Sequence, residues 1–381
     1  MRVLHTNFHR GWGGQPARIL MLSRGLRDRG HEVTIAAPQD SLLAARAREA
    51  GLPTFEEADF RKPKHLLAAL RDVRALKHHL RRGAYDLVDA HGSQDLWSVV
   101  LARRRGGSNA PLVFTRHNTK PVGSHPANRW LYRQVDHLIV VSASILPRYE
   151  PLFAAGVLRR DRVSVIHSAY RPDRFHEGVD GSRVRAELGA GPDTPLVGVV
   201  GRLVEDKGQD DFLRAAAAIR KRLPRSVFLL AGTGTTEPAL RDLAGRLHLG
   251  DSVRFLGFRD DVPEVTAALD VSVLPSVDCD ASSAALKEAL ACGVPVVATD
   301  VGGAAEIVDA GRTGLIVPKR SPSRLAAAIL SLLDDPAAAR AMGARGRGAM
   351  PERFSPDRLA EETLAAYRSV VAREQAGSRI R

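Results

Sequence analysis

Residues 196–231 read LVGVVGRLVEDKGQDDFLRAAAAIRKRLPRSVFLLA, and this stretch decides the fold. Leu196–Val200 and Val227–Ala231 are short, apolar and unalternating, as expected for strands covered on both faces. The chain between them has room for a loop and a helix, which makes a strand–helix–strand unit with parallel strands. The same rhythm extends in both directions. Strands are expected near Val253–Leu256, Val271–Leu274, Val294–Thr299 and Gly314–Val317 on one side. On the other they are expected near Val3–Phe8, Glu32–Ala37, Asp86–His91, Leu112–His117, Leu138–Ser142 and Val163–His167. Helical patterns such as Gln15–Arg29, Pro63–Arg82 and His125–Val135 lie between them. The fold class is therefore α/β, with parallel sheets wound on both faces.

The rhythm breaks once. Arg171–Pro195 carries three prolines, four glycines and few apolar residues, apart from a short helical candidate at Arg183–Leu188, and reads as an interdomain connection. Residues 1–170 and 193–354 are then two doubly wound domains, with 171–192 as the linker. Ser355-Pro356, an N-cap followed by proline at the first helical position, opens a last helix in 355–381. That helix is expected to end near Glu374 in a frayed polar tail, EQAGSRIR, and to pack back toward the N-terminal domain.

At 381 residues the chain suits two domains. Two cysteines, Cys279 and Cys292, make no disulfide framework and point to a reducing compartment. MRVLHTNFHRGWGG has no apolar core flanked by a cleavage site, so no secretory signal is expected, and no apolar run approaches a bilayer-spanning length. The net charge of +13 is unevenly spread. Residues 1–180 hold 29 Lys/Arg against 17 Asp/Glu, whereas 181–381 hold 27 against 26. Such asymmetry suggests that the first half faces a polyanion, an anionic membrane or an acidic substrate.

In open parallel sheets ligands bind beyond the carboxyl ends of the strands, so the loops there carry the candidates. After the first strand, HRGWGGQPAR sets Gly13 and Gly14 before a helix N-terminus, where unpaired amides favour an anion. A tight turn would need the same glycines. GRLVEDKG brings Arg202 and Lys207 within reach of one phosphate. AGTGTTE offers Gly232 and Gly234 but lacks the third glycine of a dinucleotide fingerprint; Gly232 stands as a donor-loop candidate, and nicotinamide binding is not expected. In SVDCDASSAALKEA, Asp280 and Glu288 bracket Ser282, Ser283 and Ala284 at an expected helix N-terminus. Carboxylates beside a phosphate site suit sugar hydroxyls better than anions. His117, in FTRHNTK, closes a strand at the ligand edge. No HExxH, CxxC or aspartate-rich pattern points to a metal, and no GxSxG elbow or GxxxxGK[ST] loop is present.

Taken together and in order, these motifs resemble family 4 of the retaining nucleotide-sugar glycosyltransferases. GRLVEDKG resembles that family's G-R-x-x-x-x-K-G, the window from Asp280 to Glu288 its E-x7-E element, and ALACGVPVVATDVGGAAEIV follows as in the family. The resemblance implies a GT-B fold, two Rossmann-like domains facing a central cleft, with an acceptor-binding first domain and a donor-binding second one. It implies that Arg202 and Lys207 neutralise the donor diphosphate without a metal and that amides around Ser282–Ala284 hold the same phosphates. It further implies that Glu288 binds the ribose and Asp280 the transferred sugar, with Gly13-Gly14 and His117 meeting the sugar or the leaving phosphate. Asp280 is one methylene shorter than the family's glutamate, His167-Ser168-Ala169-Tyr170 replaces a usual Asn-Gly turn, and Gln15 stands where an acidic residue is frequent.

The expected activity is transfer of a hexosyl unit from a UDP-, GDP- or ADP-sugar, with no cofactor, to a cell-envelope acceptor such as lipopolysaccharide core or a lipid-linked saccharide. A cytoplasmic protein at the inner face of the membrane is expected, with no nucleic-acid partner. Peripheral contact with anionic lipid would use the helix Pro63–Arg82, whose stripe Leu66, Leu70, Val73, Leu76 and Leu80 is flanked by Lys64, Arg71, Arg74, Lys77, Arg81 and Arg82. The alternatives are a polyanion-binding protein, or a same-fold epimerase or sugar phosphorylase.

Overall fold

The computed structural model describes residues 1–60 and 66–378, and its chain forms two compact units, Met1–Ala169 with Pro356–Arg381, and Tyr170–Ser355. In the first unit, β1 (Arg2–Thr6), β2 (Glu32–Ala36), β3 (Thr54–Phe55), β4 (Leu87–Ala90), β5 (Leu112–Arg116), β6 (His137–Val140) and β7 (Val163–Val165) form one sheet. Its order is β3-β2-β1-β4-β5-β6-β7, and every pair is parallel. Strands β4, β5 and β6 are buried along their whole length, which is why they carry apolar residues on both faces. The two-residue β3 lies at the sheet edge, too short to leave a sequence pattern.

In the second unit, β8 (Leu196–Val200), β9 (Val227–Ala231), β10 (Val253–Gly257), β11 (Val271–Leu274), β12 (Val296–Thr299) and β13 (Gly314–Val317) run parallel in the order β10-β9-β8-β11-β12-β13. Gly198 in the middle of β8 is dictated by packing, because a Cβ there would stand 2.6 Å from Leu269 Cδ2 and 2.7 Å from Leu229 Cδ1. Both sheets reverse their order once, between β1 and β4 and between β8 and β11. Those reversals are the switch points, the places beside which ligands bind in open parallel sheets.

The stretch 171–192, expected to join the domains, is built into the second unit. Phe175, Val184, Leu188 and Ala190 are buried in one core cluster with Leu196, Leu229, Leu269 and Leu286, around a short helix Ser182–Glu187. Gly189 turns the chain after that helix with φ +67°, and at Gly181 a Cβ would strike the backbone of Ala268. The last helix, Pro356–Ser378, lies against the helix Gly14–Arg27. Leu359, Leu364, Tyr367 and Val370 share a core cluster with Val3, Leu22, Leu26, Val33 and Leu87. At about 1.5–3 kcal/mol for each large apolar side chain removed from water, this helix contributes substantially to the first unit. It runs past the expected Glu374 to Ser378, and the tail's last three residues lie outside the described residues.

The basic helix is described over Leu66–Gly83; Pro63 and Lys64 lie outside the described residues. Val73, Leu76 and Leu80 are buried as the stripe requires, but Leu70 is 47% exposed and Leu67 84% exposed.

Candidate active site

Two loops flank the switch point of the second sheet, 201–208 after β8 and 275–283 after β11. Gly208 has φ +62°, and a Cβ there would collide with the Pro275 carbonyl oxygen, so the two loops approach as backbone on backbone. Val277 N–H donates to the Asp206 carbonyl (2.9 Å), and the Lys207 ammonium reaches across to Asp280 Oδ2 at 2.5 Å. The Ser276 hydroxyl donates to the same carboxylate oxygen (2.9 Å), and Thr299 Oγ1 donates to the Ser276 carbonyl (2.5 Å). The Asp280 carbonyl accepts from Gly303 N–H (3.0 Å). Asp280 is thereby fixed through both backbone and side chain, with 7% of its side chain exposed and 20% of that of Lys207. Lys207 is thus held in place before any ligand arrives. Arg202, by contrast, is exposed, and among the described residues its guanidinium has no ion pair.

The helix Ala284–Ala291 begins directly after this carboxylate. Ser283 caps it, its Oγ accepting from Leu286 N–H at 3.4 Å. Ser282 Oγ accepts from the Lys287 ammonium at 2.8 Å. Lys287 is 1% exposed, with its Nζ 5.4 Å from the centre of the Phe354 ring. Glu288 is half-buried, and burial pushes its carboxyl up to about 7 against the opposing pull of Lys287, Arg174 and Arg171. Gly232 stands behind the first loop, where a Cβ would strike the Gly201 carbonyl oxygen; that close approach by itself accounts for the glycine.

In the first unit the loop after β1 leads to the helix Gly14–Arg27. Gly13 is extended (φ 173°), and among the described residues a Cβ at Gly13 or Gly14 would meet nothing within 4 Å. Among the described residues, neither backbone conformation nor packing demands glycine at position 13, which fits a surface that a ligand must approach closely. No side chain among the described residues caps this helix, and its first turn holds no acidic residue.

His117 follows β5 and is half-buried. Its Nε2 lies 3.0 Å from His91 Nδ1, and His91 Nε2 lies 2.9 Å from His5 Nδ1. His5 faces Asp89 across the β1–β4 register. The Asp89 carboxylate accepts from Thr115 Oγ1 (2.9 Å) and from the Tyr367 hydroxyl (2.5 Å) of the last helix. Burial pushes Asp89 up to about 6 and Asp95, at the start of the next helix, up to about 7. Arg18 is 2% exposed and donates to the His167 carbonyl at 2.7 Å. Burial lowers the basicity of all three histidines, and the Arg18 cation lowers it further. One ligand atom each of His5, Asp89 and His91 lies within 4.8 Å of the others, a grouping that sequence motifs did not reveal.

Residues 12–175 match the Glycosyltransferase Family 4 profile and residues 181–349 that of Glycosyl transferases group 1. The GDP-mannose-dependent alpha-(1-6)-phosphatidylinositol monomannoside mannosyltransferase of Mycobacterium tuberculosis is 30% identical over 360 residues, 89% of this chain and 90% of that protein. The chain belongs to glycosyltransferase family 4. The 2-deoxystreptamine N-acetyl-D-glucosaminyltransferase of Streptomyces fradiae is also 30% identical, over 96% of this chain and 93% of its own length. The crystal structure of Anabaena HepE in complex with UDP matches 97% of this chain and 100% of that one, with a TM-score of 0.82 at 22% identity. The fold is accordingly GT-B, built from two Rossmann-like domains, and the family's substrates are nucleotide sugars.

Of the expected donor residues, Lys207 and Asp280 pair across the two loops, and Ser282, Ser283 and Ala284 follow Asp280 at the start of the helix that carries Glu288. Sequence reasoning did not single out Ser276, Thr299 or Lys287. A lysine inside an amphipathic helix reads as a solvent-facing residue, and only the fold shows that Lys287 is buried on Ser282.

Proposed function

We propose that the protein transfers a hexosyl unit, with retention and without a catalytic metal, from a nucleoside-diphosphate sugar to a saccharide or lipid-linked acceptor of the cell envelope. The observation that carries this reading is the Lys207–Asp280 pair at the switch point of the second sheet, which fixes a lysine just before the helix Ala284–Ala291, with the exposed Arg202 on the same loop as Lys207. The chemical task is to stabilise negative charge as the bond from the anomeric carbon to the diphosphate oxygen breaks. Preorganised cations and amides do this because they need no reorganisation at the moment of reaction. Arg202 offers two parallel donors, Lys207 a fixed point charge, and the amides of Ser282–Ala284 the positive end of a helix. The acceptor oxygen bonds to the anomeric carbon on the face the diphosphate leaves, and its proton departs with the diphosphate.

The carboxylates suit neutral groups. Asp280 Oδ2 is occupied by Lys207 and Ser276, which leaves Oδ1 for a sugar hydroxyl. Glu288, poised near neutrality, suits ribose hydroxyls. Gly13-Gly14 and His117 are the groups of the first unit assigned to the sugar and leaving phosphate. Titration with UDP, GDP and ADP, followed by turnover of a panel of their sugars, tests this reading; binding of none of the three would overturn it.

A membrane-facing role, and with it a position at the cytoplasmic face, is favoured by the helix Leu66–Gly83. Leu67 and Leu70 are exposed beside Arg71, Arg74, Arg81 and Arg82, the pattern of an interfacial helix. Each cation near an anionic surface contributes about 1 kcal/mol. Binding to phosphatidylglycerol vesicles at low salt is expected, with loss on Leu67→Ser/Leu70→Ser; a folded, active protein that ignores such vesicles refutes it.

A further inference from the structure

Three histidines stand in file across three neighbouring strands of the first sheet: His5 within β1, His91 just after β4 and His117 just after β5. Two nitrogen–nitrogen hydrogen bonds, of 2.9 and 3.0 Å, link them. A neutral imidazole carries one ring hydrogen, so two such bonds in series must run in one direction. If they run inward from His117, all three rings carry hydrogen on Nε2, and His5 is left with an Nε2–H in the interior. His5 Nε2 is buried and has no partner among the described residues. If they run outward, that nitrogen holds only a lone pair, and a buried acceptor without a partner is better tolerated than a buried N–H. The outward direction puts the ring hydrogen on Nδ1 of all three.

We propose that His5 and His91 are positioning residues that hold His117 as the neutral Nδ1–H tautomer, so that it presents a hydrogen-bond donor, and no lone pair, to an oxygen of the bound sugar. This rests on the reading that His117 meets the sugar. A ring fixed in this way orients an acceptor oxygen on the sugar and cannot take a proton from the acceptor hydroxyl through Nδ1. Burial and the neighbouring Arg18 cation keep the file uncharged. Asp89 does not compete for the ring hydrogens. Its Oδ2 is 3.9 Å from His5 Nδ1 and 3.5 Å from His91 Nε2, while Thr115 and Tyr367 occupy the carboxylate. The alternative of a cation shared by His5, Asp89 and His91 is disfavoured by the Arg18 charge buried beside them, and by an N···N separation already that of a hydrogen bond.

The test is long-range proton–nitrogen correlation on the full chain labelled with 15N-histidine, with the His117 signals assigned by their loss in His117→Ala. The file requires Nδ1–H at His117 in the wild type. His91→Phe fills the ring volume without bonding; it should return His117 to the ordinary mixture of tautomers and lower kcat about tenfold, with little change in the donor KM. His91→Gln, whose amide can bridge, should retain most of the turnover. An Nε2–H at His117 in the wild type, or a stoichiometric metal ion bound to His5 and His91, would overturn the proposal, whatever the variants do. Full turnover in His117→Ala would instead remove the underlying reading, and with it the role of the file, while the tautomer measurement still reports on the file itself.

Discussion

Replacing Lys207 by methionine keeps the stem of the side chain and removes its charge, and the structure sets two separate consequences. The first is on stability. The ammonium is a 2.5 Å partner of Asp280 Oδ2, which would keep only the Ser276 hydroxyl at 2.9 Å. A hydrogen bond to a charged group contributes about 1.5–3 kcal/mol, and partial exposure of Lys207 favours the lower end. For a unit of this size a loss of about 1.5 kcal/mol lowers Tm by roughly 3–6 °C. The second consequence is on chemistry. If Lys207 stabilises the departing diphosphate, its charge supplies about 3–4 kcal/mol at the transition state, a loss of about 10²- to 10³-fold in kcat. The double variant Lys207→Met/Asp280→Leu separates the two. With both charges gone and an apolar side chain in the buried position, stability should return to near wild type, because replacing a buried pair outright costs far less than breaking it. Turnover should stay low. Measuring Tm by calorimetry and nucleoside diphosphate release by a coupled assay decides the matter. Lys207→Met working within tenfold of wild type, or a double variant that regains activity with its stability, would refute the reasoning.

Glu288 gives a pH test. Its folded carboxyl titrates near 7, above the ordinary 4.5, so the folded state holds a proton that the unfolded chain has already lost. Stability should therefore fall as pH rises from about 4.5 to about 7 and level off above; Glu288→Gln should flatten its part of that slope in urea titrations, and an unchanged slope would contradict the burial argument. Nucleotide affinity should rise through the same window as the carboxylate forms, and calorimetry on Glu288→Gln should find the rise gone and binding weaker. Gly302 has φ +58°, and a Cβ there would collide with the Asp280 carbonyl oxygen. Gly302→Ala should cost about 2 kcal/mol or more and lower turnover by displacing Asp280, read as a lower urea midpoint and a reduced kcat; a silent substitution would argue against a rigid carboxylate.

What the sequence made legible follows what is local. Leu196–Val200, Val227–Ala231, Val271–Leu274 and Gly314–Val317 are strands over those same residues, because each is an apolar run cut off by glycine, proline or charge. The two-residue β3 offers no run to read. Gly178, Gly181, Gly189 and Gly191 suggested a free connection, yet a glycine-rich segment can also be a tightly turned one, and Val184 and Leu188 are buried within it. Of the candidate site residues, Lys207 and Asp280 could be singled out because each lies on a loop after a strand, and Glu288 because it stands eight residues beyond Asp280 on the helix that follows. The file of histidines was not, because β1, β4 and β5 are adjacent only through the sheet order, and His5 lies mid-strand among apolar residues with nothing to mark it.

The last helix has a consequence for how the protein is made. The core of the first unit includes Leu359, Leu364, Tyr367 and Val370, and the Asp89 carboxylate waits for the Tyr367 hydroxyl. Between Ala169 and Pro356 the ribosome must first deliver the whole second unit. At about 5–20 residues per second this takes roughly 10–40 s, during which the first unit has emerged without its closing helix and keeps an apolar face uncovered. The second unit, contiguous in the chain, can fold first although it is synthesised later, and the nascent first unit is the part in need of a chaperone.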